Sequence, residues 1–72
     1  MEFPQILTTL RKEQKLTKDQ LAQKIGFSNV IISYWEYGKR EPSSKALKAL
    51  AKYFKVSADY LLGLEDEYGN EL

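Results

Sequence analysis

Residues 18–37 read KDQLAQKIGFSNVIISYWEY, and this stretch decides the fold. Its apolar residues recur at helical spacing on both sides of Gly26, which predicts two short helices joined by a tight turn. A small side chain is needed where the helices cross, and Ala22 provides it. The turn needs a residue that accepts a positive φ without strain, and Gly26 provides that. The positions that must face the interior are apolar as well, namely Leu21, Ile25, Phe27, Ile32 and Trp35.

Helix start and stop signals on either side of this stretch predict an all-α fold of five helices, with no segment that alternates as a strand. Thr17 and Gln20 form a predicted capping box at the start of the second helix. The predicted helices run from about Pro4 to Gln14, from the Thr17 cap to Gly26, from the Ser28 cap to the residue before Gly38, from a Ser43 or Ser44 cap after Pro42, and from the Ser57 cap to Leu62. Their predicted core residues outside residues 18–37 are Phe3, Leu7, Leu10, Leu47, Leu50, Ala51 and Phe54.

The composition bounds the chemistry that is available. The chain has 72 residues, enough for one domain, and contains no Cys and no His. Disulfides, the usual zinc sites and imidazole or thiol catalysis are therefore absent, and the carboxylates are scattered. We expect no enzymatic activity, no cofactor, no metal and no small-molecule ligand. The N-terminus has no long apolar run, so we expect a cytoplasmic protein without a signal peptide or membrane span.

Charge is distributed unevenly along the chain. All eleven Lys and Arg residues lie between Arg11 and Lys55. Residues 1–62 carry a net charge of +5, whereas the last ten residues contain four acids and no base. This split is typical of a basic body that meets a polyanion, but a solvated surface with a solubilising tail would have the same charges. We expect residues 1–63 to form the domain and residues 64–72 an acidic, flexible tail.

Taken together, these motifs resemble the Xre/phage-repressor (lambda-repressor-like) family of helix-turn-helix regulators. The resemblance covers about residues 5–63. It implies a compact five-helix protein, usually dimeric, whose third helix enters the major groove of DNA. It also implies a bacterial or phage-encoded protein that is associated with the nucleoid. The residues that carry it are Leu16–Thr17, Leu21–Ala22, Gly26, Ile32–Ser33, Trp35–Glu36, Gly38–Arg40, Pro42 and the closing run Phe54–Gly63.

The third helix is the predicted reading helix. Ile32 and Trp35 occupy its inner face, and we assign Trp35 to the core rather than to base stacking. The opposite face presents Asn29, Val30, Ser33, Tyr34 and Tyr37, of which the first four are the predicted base readers. Asn pairs bidentately with adenine and Val packs on a thymine methyl. Asn is also common in the first turn of a helix for local reasons, and Val30 with Ile31 can instead pack on the second helix.

The family often has Gln, Ser, Thr or Arg where this chain has Val30, Ile31 and Tyr34. Fewer side chains are then available to hydrogen-bond bases, so DNA shape has more weight in recognition. Phosphate contacts are expected to flank the reading helix and to position it without specifying sequence. The predicted phosphate-binding residues are Lys18, Ser28, Tyr37, Lys39, Arg40 and Lys45, together with backbone amides that open the second and third helices. The remaining lysines of the fourth helix are interpreted as a solvated face.

The resemblance also implies a structural ion pair between Arg11 and Glu36 that links the first and third helices. The function that follows is sequence-specific binding of double-stranded DNA by a repressor, acting as a homodimer on a pseudo-palindromic operator. Tyr60, Leu61 and Leu64 are the predicted dimer surface. Two alternatives stay open: an antitoxin or other protein-binding module on the same fold, and a structural helical bundle whose basic face has no partner.

Overall fold

The computed structural model describes residues 2–72, which form five helices around one core. The predicted all-α, five-helix fold is confirmed, and the predicted helix bounds closely match the observed ones. None of these helices is long and apolar enough to cross a membrane. The helices are α1 (Phe3–Glu13), α2 (Lys18–Ile25), α3 (Asn29–Glu36), α4 (Ser44–Phe54) and α5 (Ala58–Leu61).

Side-chain caps explain where the helices begin. The predicted capping box of α2 is present: the Gln20 N–H donates to Thr17 Oγ1 at 3.1 Å, and the Thr17 N–H donates to Gln20 Oε1 at 2.9 Å. Ser43, not Ser44, caps α4, because its Oγ accepts the Ala46 N–H at 3.1 Å. Each cap satisfies a backbone donor that has no partner within the helix.

The turn between α2 and α3 depends on the backbone freedom of Gly26. Gly26 has a φ of +78°, and the N–H groups of Gly26 and Phe27 both donate to the Ala22 carbonyl, at 2.9 and 3.0 Å. A Cβ at this position would meet no atom within 4 Å. The glycine is therefore required by the left-handed backbone and not by lack of space.

Two lysines close helices in the same left-handed conformation. Lys15 follows α1 with a φ of +57°, and Lys55 ends α4 with a φ of +58°. The next residue in each case, Leu16 or Val56, donates its N–H back to the helix at 3.1 Å and packs against the core. Packing of Leu16 and Val56 against the core offsets the strain of the left-handed backbone at the preceding lysine. Helix-stop signals in the sequence do not predict this conformation.

The core lies between helices that pack in pairs: α1 against α3 and α5, α2 against α3 and α4, and α4 against α5. Trp35 is 2% exposed, and its ring centroid lies 5.5 Å from that of Phe27 and 6.4 Å from that of Phe3. The assignment of Trp35 to the core is thereby confirmed. The fully formed core contains Phe3, Ile6, Leu7, Leu21, Ala22, Ile32, Trp35, Ala46, Leu50, Phe54 and Leu61, with Leu10, Ile25, Phe27, Leu47 and Ala51 packed against it.

The placement of Leu61 on an exposed dimer surface is wrong. Leu61 is completely buried, because the single turn of α5 packs against α1 and α4 and points this side chain inward. Tyr60 is half-buried, whereas Leu64 is 56% exposed and Leu62 is 39% exposed. The apolar surface near the end of α5 therefore consists of side chains on either side of Leu61.

Residues 64–72, expected to be a flexible tail, are arranged in a hydrogen-bonded turn. The Leu72 N–H donates to the Leu64 carbonyl at 3.1 Å, and the Asp66 carboxylate accepts the N–H groups of Tyr68 and Asn70 at 2.9 Å. The backbone hydrogen bond from Asn70 lowers the pKa of Asp66 below its ordinary value. Ser57 Oγ donates to Glu65 Oε1 at 2.8 Å, which joins this turn to the start of α5.

Candidate nucleic-acid interface

One face of α3 is held in the core and the other is open to solvent. Ile32 and Trp35 are buried on the inner face, whereas Val30 is 54% exposed and Tyr34 37% exposed on the outer face. Asn29, the first residue of the helix, is exposed as well. The outer face at the start of α3 is therefore free to approach a large ligand, and the packing of the inner face fixes its direction.

The remaining side chains of the reading helix are less available. Ser33 is half-buried. Ile31 is also half-buried and packs against the core, so of the two neighbouring apolar residues only Val30 projects outward. The structure thus brings Asn29, Val30 and Tyr34 to one exposed face and leaves Ser33 at its edge.

Asn29 is held by a residue that sequence reasoning missed. Asn29 Nδ2 donates a hydrogen bond to Oδ1 of Asp19, which lies in the first turn of α2. The start of α2 is thus adjacent to the start of α3. The only sequence signal was an acidic residue at the start of a helix, and the helix dipole favours an acid there in any protein.

Lys18 and Tyr37 connect the start of α2 to the end of α3. The Lys18 ammonium lies 4.5 Å from the centroid of the Tyr37 ring, and Lys18 Nζ donates to Tyr37 Oη at 3.4 Å. Tyr37 is 69% exposed. This cation–π contact orients the lysine along the exposed face, so the ammonium acts there as a positioned charge.

The loop after α3 adds two further cations. The N–H groups of Lys39 and Arg40 donate to the Tyr34 carbonyl at 2.8 and 3.4 Å, which folds the loop back on the end of the helix. The Arg40 guanidinium carbon lies 5.8 Å from the centroid of the Tyr34 ring. Both exposed tyrosines of this region therefore have a cation against them, and both side chains are amphipathic groups suited to a charged surface.

Ser28 and Lys45 complete the set of predicted phosphate-binding residues. Ser28 Oγ accepts the Ile31 N–H at 3.2 Å, so the hydroxyl caps α3 and its own hydrogen stays available for donation. Lys45 is exposed in the first turn of α4. Within residues 2–72 it makes no hydrogen bond or ion pair with the residues of the α3 face, so the structure does not join it to that group.

An ion pair fixes the end of α3 to α1. Arg11 Nε donates to Glu36 Oε2 at 2.7 Å and Arg11 Nη2 donates to Oε1 at 3.0 Å, a bidentate geometry. Arg11 Nη1 also donates to the Leu16 carbonyl at 2.8 Å. The side chains are only 11% and 5% exposed, and the hydrogen bond to Glu36 raises the pKa of Arg11. The pair is therefore structural and orients α3 without facing the candidate interface.

Metal chemistry has no donor set in the described part of the chain. Residues 2–72 contain no group of three or more acidic, His or Cys side chains placed to hold a metal ion. The exposed face of α3 instead carries amide and apolar side chains at its start and has the cations Lys18, Lys39 and Arg40 near its end. Such a surface suits binding of a polyanion that also presents hydrogen-bonding edges.

Comparison with known proteins supports this interpretation. The helix-turn-helix family model HTH_3 matches residues 7–61. The chain is 42% identical over 66 residues to the HTH-type transcriptional activator BcrR of Enterococcus faecalis, covering 92% of this chain and 32% of BcrR. It is 44% identical over 52 residues to repressor protein C2 of Salmonella phage P22, covering 72% of this chain and 24% of that repressor.

Solved structures give the same result. The P22 c2 repressor in complex with a synthetic operator superposes with a TM-score of 0.82 at 37% identity, covering 86% of this chain and 94% of that chain. A transcriptional regulator from Listeria innocua matches with a TM-score of 0.82 at 32% identity, covering 92% of this chain and 62% of that chain. The chain spans 32% and 58% of the length of two curated relatives, BcrR and the regulator YobD of Bacillus subtilis. The sequence, the fold and these matches show that the chain belongs to the helix-turn-helix family and has the architecture of the phage-repressor DNA-binding domain.

Proposed function

We propose that this chain is a sequence-specific double-stranded DNA-binding transcriptional regulator. The observation that carries the proposal is the start of α3, where Asn29 and Val30 are exposed while Ile32 and Trp35 hold the same helix in the core. An α-helix fits the major groove, and its N-terminal residues reach the base edges. Cations lie beside the end of the same helix, Lys18 against Tyr37 and Arg40 against Tyr34, where they are suited to contact a phosphate backbone.

The base readers are proposed to be Asn29, Val30, Ser33 and Tyr34. Asn29 pairs with adenine and Val30 packs on a thymine methyl, while Tyr34 and the half-buried Ser33 contact the groove further along the helix. The phosphate contacts are proposed to come from Lys18, Ser28, Tyr37, Lys39, Arg40 and Lys45. These contacts set the position of the domain and supply most of the salt-dependent affinity.

Repression by promoter occupancy is the proposed regulatory outcome. Of the similar proteins, BcrR is named an activator and P22 C2 a repressor, and the P22 protein is the one whose complex with operator DNA superposes on this chain. We infer that this chain binds a pseudo-palindromic operator as a homodimer, with half-sites about 34 Å apart. In this proposal, the protein bound at the operator blocks access to the promoter.

The proposal is tested with two substitutions, Asn29→Ala and Lys39→Ala. DNA sequences are first selected from a random pool with the unaltered protein. Asn29→Ala is expected to relax the preference at one base pair, at a cost of about 1–3 kcal/mol there, because it removes a base contact. Lys39→Ala is expected to weaken binding to all sequences alike and to make the salt slope less steep by about 0.9, because it removes one phosphate contact.

Salt dependence separates the proposal from its alternatives. For a DNA-binding regulator, the logarithm of the binding constant falls linearly with the logarithm of the salt concentration, since binding to phosphates releases counterions. A protein-binding module or a bundle without a partner would show no DNA affinity at low salt, or a flat response. Either result contradicts the proposed function. A loss of thermal stability as the sole effect of Asn29→Ala would contradict the base-reading role of Asn29.

The dimer surface is proposed to include Tyr60, Leu62 and Leu64. Tyr60 precedes the buried Leu61 in the chain, and Leu62 and Leu64, which follow it, are exposed large apolar groups. Exposed apolar side chains are suited to self-association, because burial of apolar area favours an interface. The proposed contact is isologous, with the same patch on both copies.

Leu64→Lys is expected to reduce dimer formation. Binding to a duplex with two half-sites should weaken by at least about tenfold, because the second copy no longer binds cooperatively, while binding to a single half-site stays unchanged. Thr9→Lys adds the same charge at an exposed position on α1 and is the matched control. Sedimentation and a two-site binding titration give the measurements, and equal loss on one and two half-sites would contradict this surface.

A further inference from the structure

An acidic side chain lies among the cations of the proposed DNA-binding face. Asp19 is exposed, follows Lys18 in the chain and accepts a hydrogen bond from Asn29 Nδ2. A carboxylate at a surface that meets phosphates is repelled by them and lowers affinity. The helix dipole favours an acid at the start of α2, and the hydrogen bond from Asn29 is a second interaction that an apolar residue there would lack.

The side chain that Asp19 contacts has two faces with opposite chemistry. An Asn amide carries two N–H donors on Nδ2 and an acceptor at Oδ1, and rotation about its terminal bond exchanges them. Adenine presents the N7 acceptor and the N6 donor in the major groove, whereas guanine presents two acceptors, N7 and O6. An amide that turns freely can direct its NH2 group toward guanine O6, so Asn29 alone discriminates poorly between the purines.

We propose that Asp19 is a positioning residue that makes Asn29 specific for adenine, an inference that rests on the proposed function. An ionised carboxylate only accepts hydrogen bonds, so the Nδ2 side of the amide must face Asp19. One Nδ2 hydrogen is used in this contact. The second hydrogen and Oδ1 are left for N7 and N6 of adenine, while a guanine would place O6 against Oδ1, acceptor against acceptor.

This role predicts that affinity and specificity change in opposite directions. Removing the carboxylate takes a negative charge off the DNA-binding face, so binding to arbitrary DNA becomes tighter. It also frees the Asn29 amide to rotate, so the preference for adenine over guanine falls. A residue that only stabilises α2 through the helix dipole would change the melting temperature and leave the purine preference untouched.

The experiment compares Asp19→Ala, Asp19→Asn and Asp59→Ala with the unaltered chain. Asp59 is the matched control, because it is also exposed and occupies the same position in the first turn of α5. Affinities are measured for three duplexes: the sequence selected from random DNA, the same sequence with guanine in place of the adenine that Asn29→Ala ceases to prefer, and an unrelated duplex.

For Asp19→Ala we expect the adenine-to-guanine ratio to fall by about tenfold and binding to the unrelated duplex to tighten by about threefold. Asp19→Asn keeps the shape of the side chain but offers both a donor and an acceptor. It should therefore also lower the adenine-to-guanine affinity ratio. Asp59→Ala should leave the ratio unchanged. Because Asp19→Asn is isosteric, its ratio is informative even if Asp19→Ala is poorly folded, and melting curves identify that case.

The outcomes separate the inference from the proposed function. If Asn29→Ala abolishes the adenine preference but both Asp19 variants retain it, the inference is overturned and the proposed function stands. The inference is also overturned if Asn29→Ala does not reduce the preference for adenine at any position of the selected sequence. If the unaltered chain selects no sequence at all, the proposed function itself fails.

Discussion

Replacing Glu36 with Ala is expected to lower the free energy of unfolding by about 3 kcal/mol, the lower end of the range for breaking a buried ion pair. Glu36 accepts two hydrogen bonds from Arg11, and the pair is almost completely buried. Removing the carboxylate leaves the guanidinium charged and unpaired, because an Arg side chain does not lose its proton in a protein and this one is only 11% exposed. Urea denaturation followed by circular dichroism measures the change.

Two further variants show whether the loss comes from the unpaired charge. Glu13→Ala removes an exposed acid at the end of α1 and should change the free energy of unfolding by less than about 0.5 kcal/mol. The double variant Arg11→Met with Glu36→Leu should recover part of the loss, since replacing both members with apolar groups removes the buried charge. If Glu36→Ala and the double variant were equally stable, the loss would come from altered packing and not from the unpaired charge of Arg11.

Replacing Trp35 with Ala is expected to cost about 3–5 kcal/mol, the range for removing a large aromatic side chain from a core. Trp35 is 2% exposed and has Phe3 and Phe27 packed at its edges. The chain has 72 residues and no disulfide, so a loss of this size leaves little stability. Thermal and urea unfolding measure the effect, and Tyr37→Ala, at a 69% exposed position two residues later, is the control.

The same tryptophan gives a second, independent measurement. It is the only Trp in the chain, so its fluorescence reports on one site. In the folded protein we expect a blue-shifted emission that DNA does not quench, because the ring faces the core and not the groove. Strong quenching on adding DNA, or a Trp35→Ala variant with normal stability and lost DNA affinity, would show that the ring stacks on bases instead.

Together these variants test how α3 is held in the domain. Trp35 anchors the inner face of α3, and Glu36 fastens its last turn to α1. Neither side chain belongs to the exposed face, yet both set the direction in which Asn29 and Val30 project. We therefore expect DNA binding by either variant to weaken on all sequences alike, as the folded fraction falls, with base preference retained in what remains folded.

Local signals in the sequence were sufficient for the helices and most of the core. These signals act over a few residues or along one face of a single helix. They are the capping box of Thr17, the glycine at position 26, and the spacing of the apolar residues Leu21, Ile32 and Trp35. Such interactions repeat in any protein, so sequence reasoning handles them well. Local patterns did not predict the left-handed backbone of Lys15 and Lys55, which precede residues that pack against the core.

By itself, then, the sequence determined five helices, a helix-turn-helix and an exposed face of α3 that begins at Asn29. Only the tertiary structure decided what surrounds that face: Asp19 against the Asn29 amide and Lys18 against the Tyr37 ring. It also decided that Leu61 is buried. These contacts and the burial of Leu61 depend on the angles at which the helices pack. The local sequence pattern at a helix end is the same whether the side chain faces the core or the solvent, so it does not predict them.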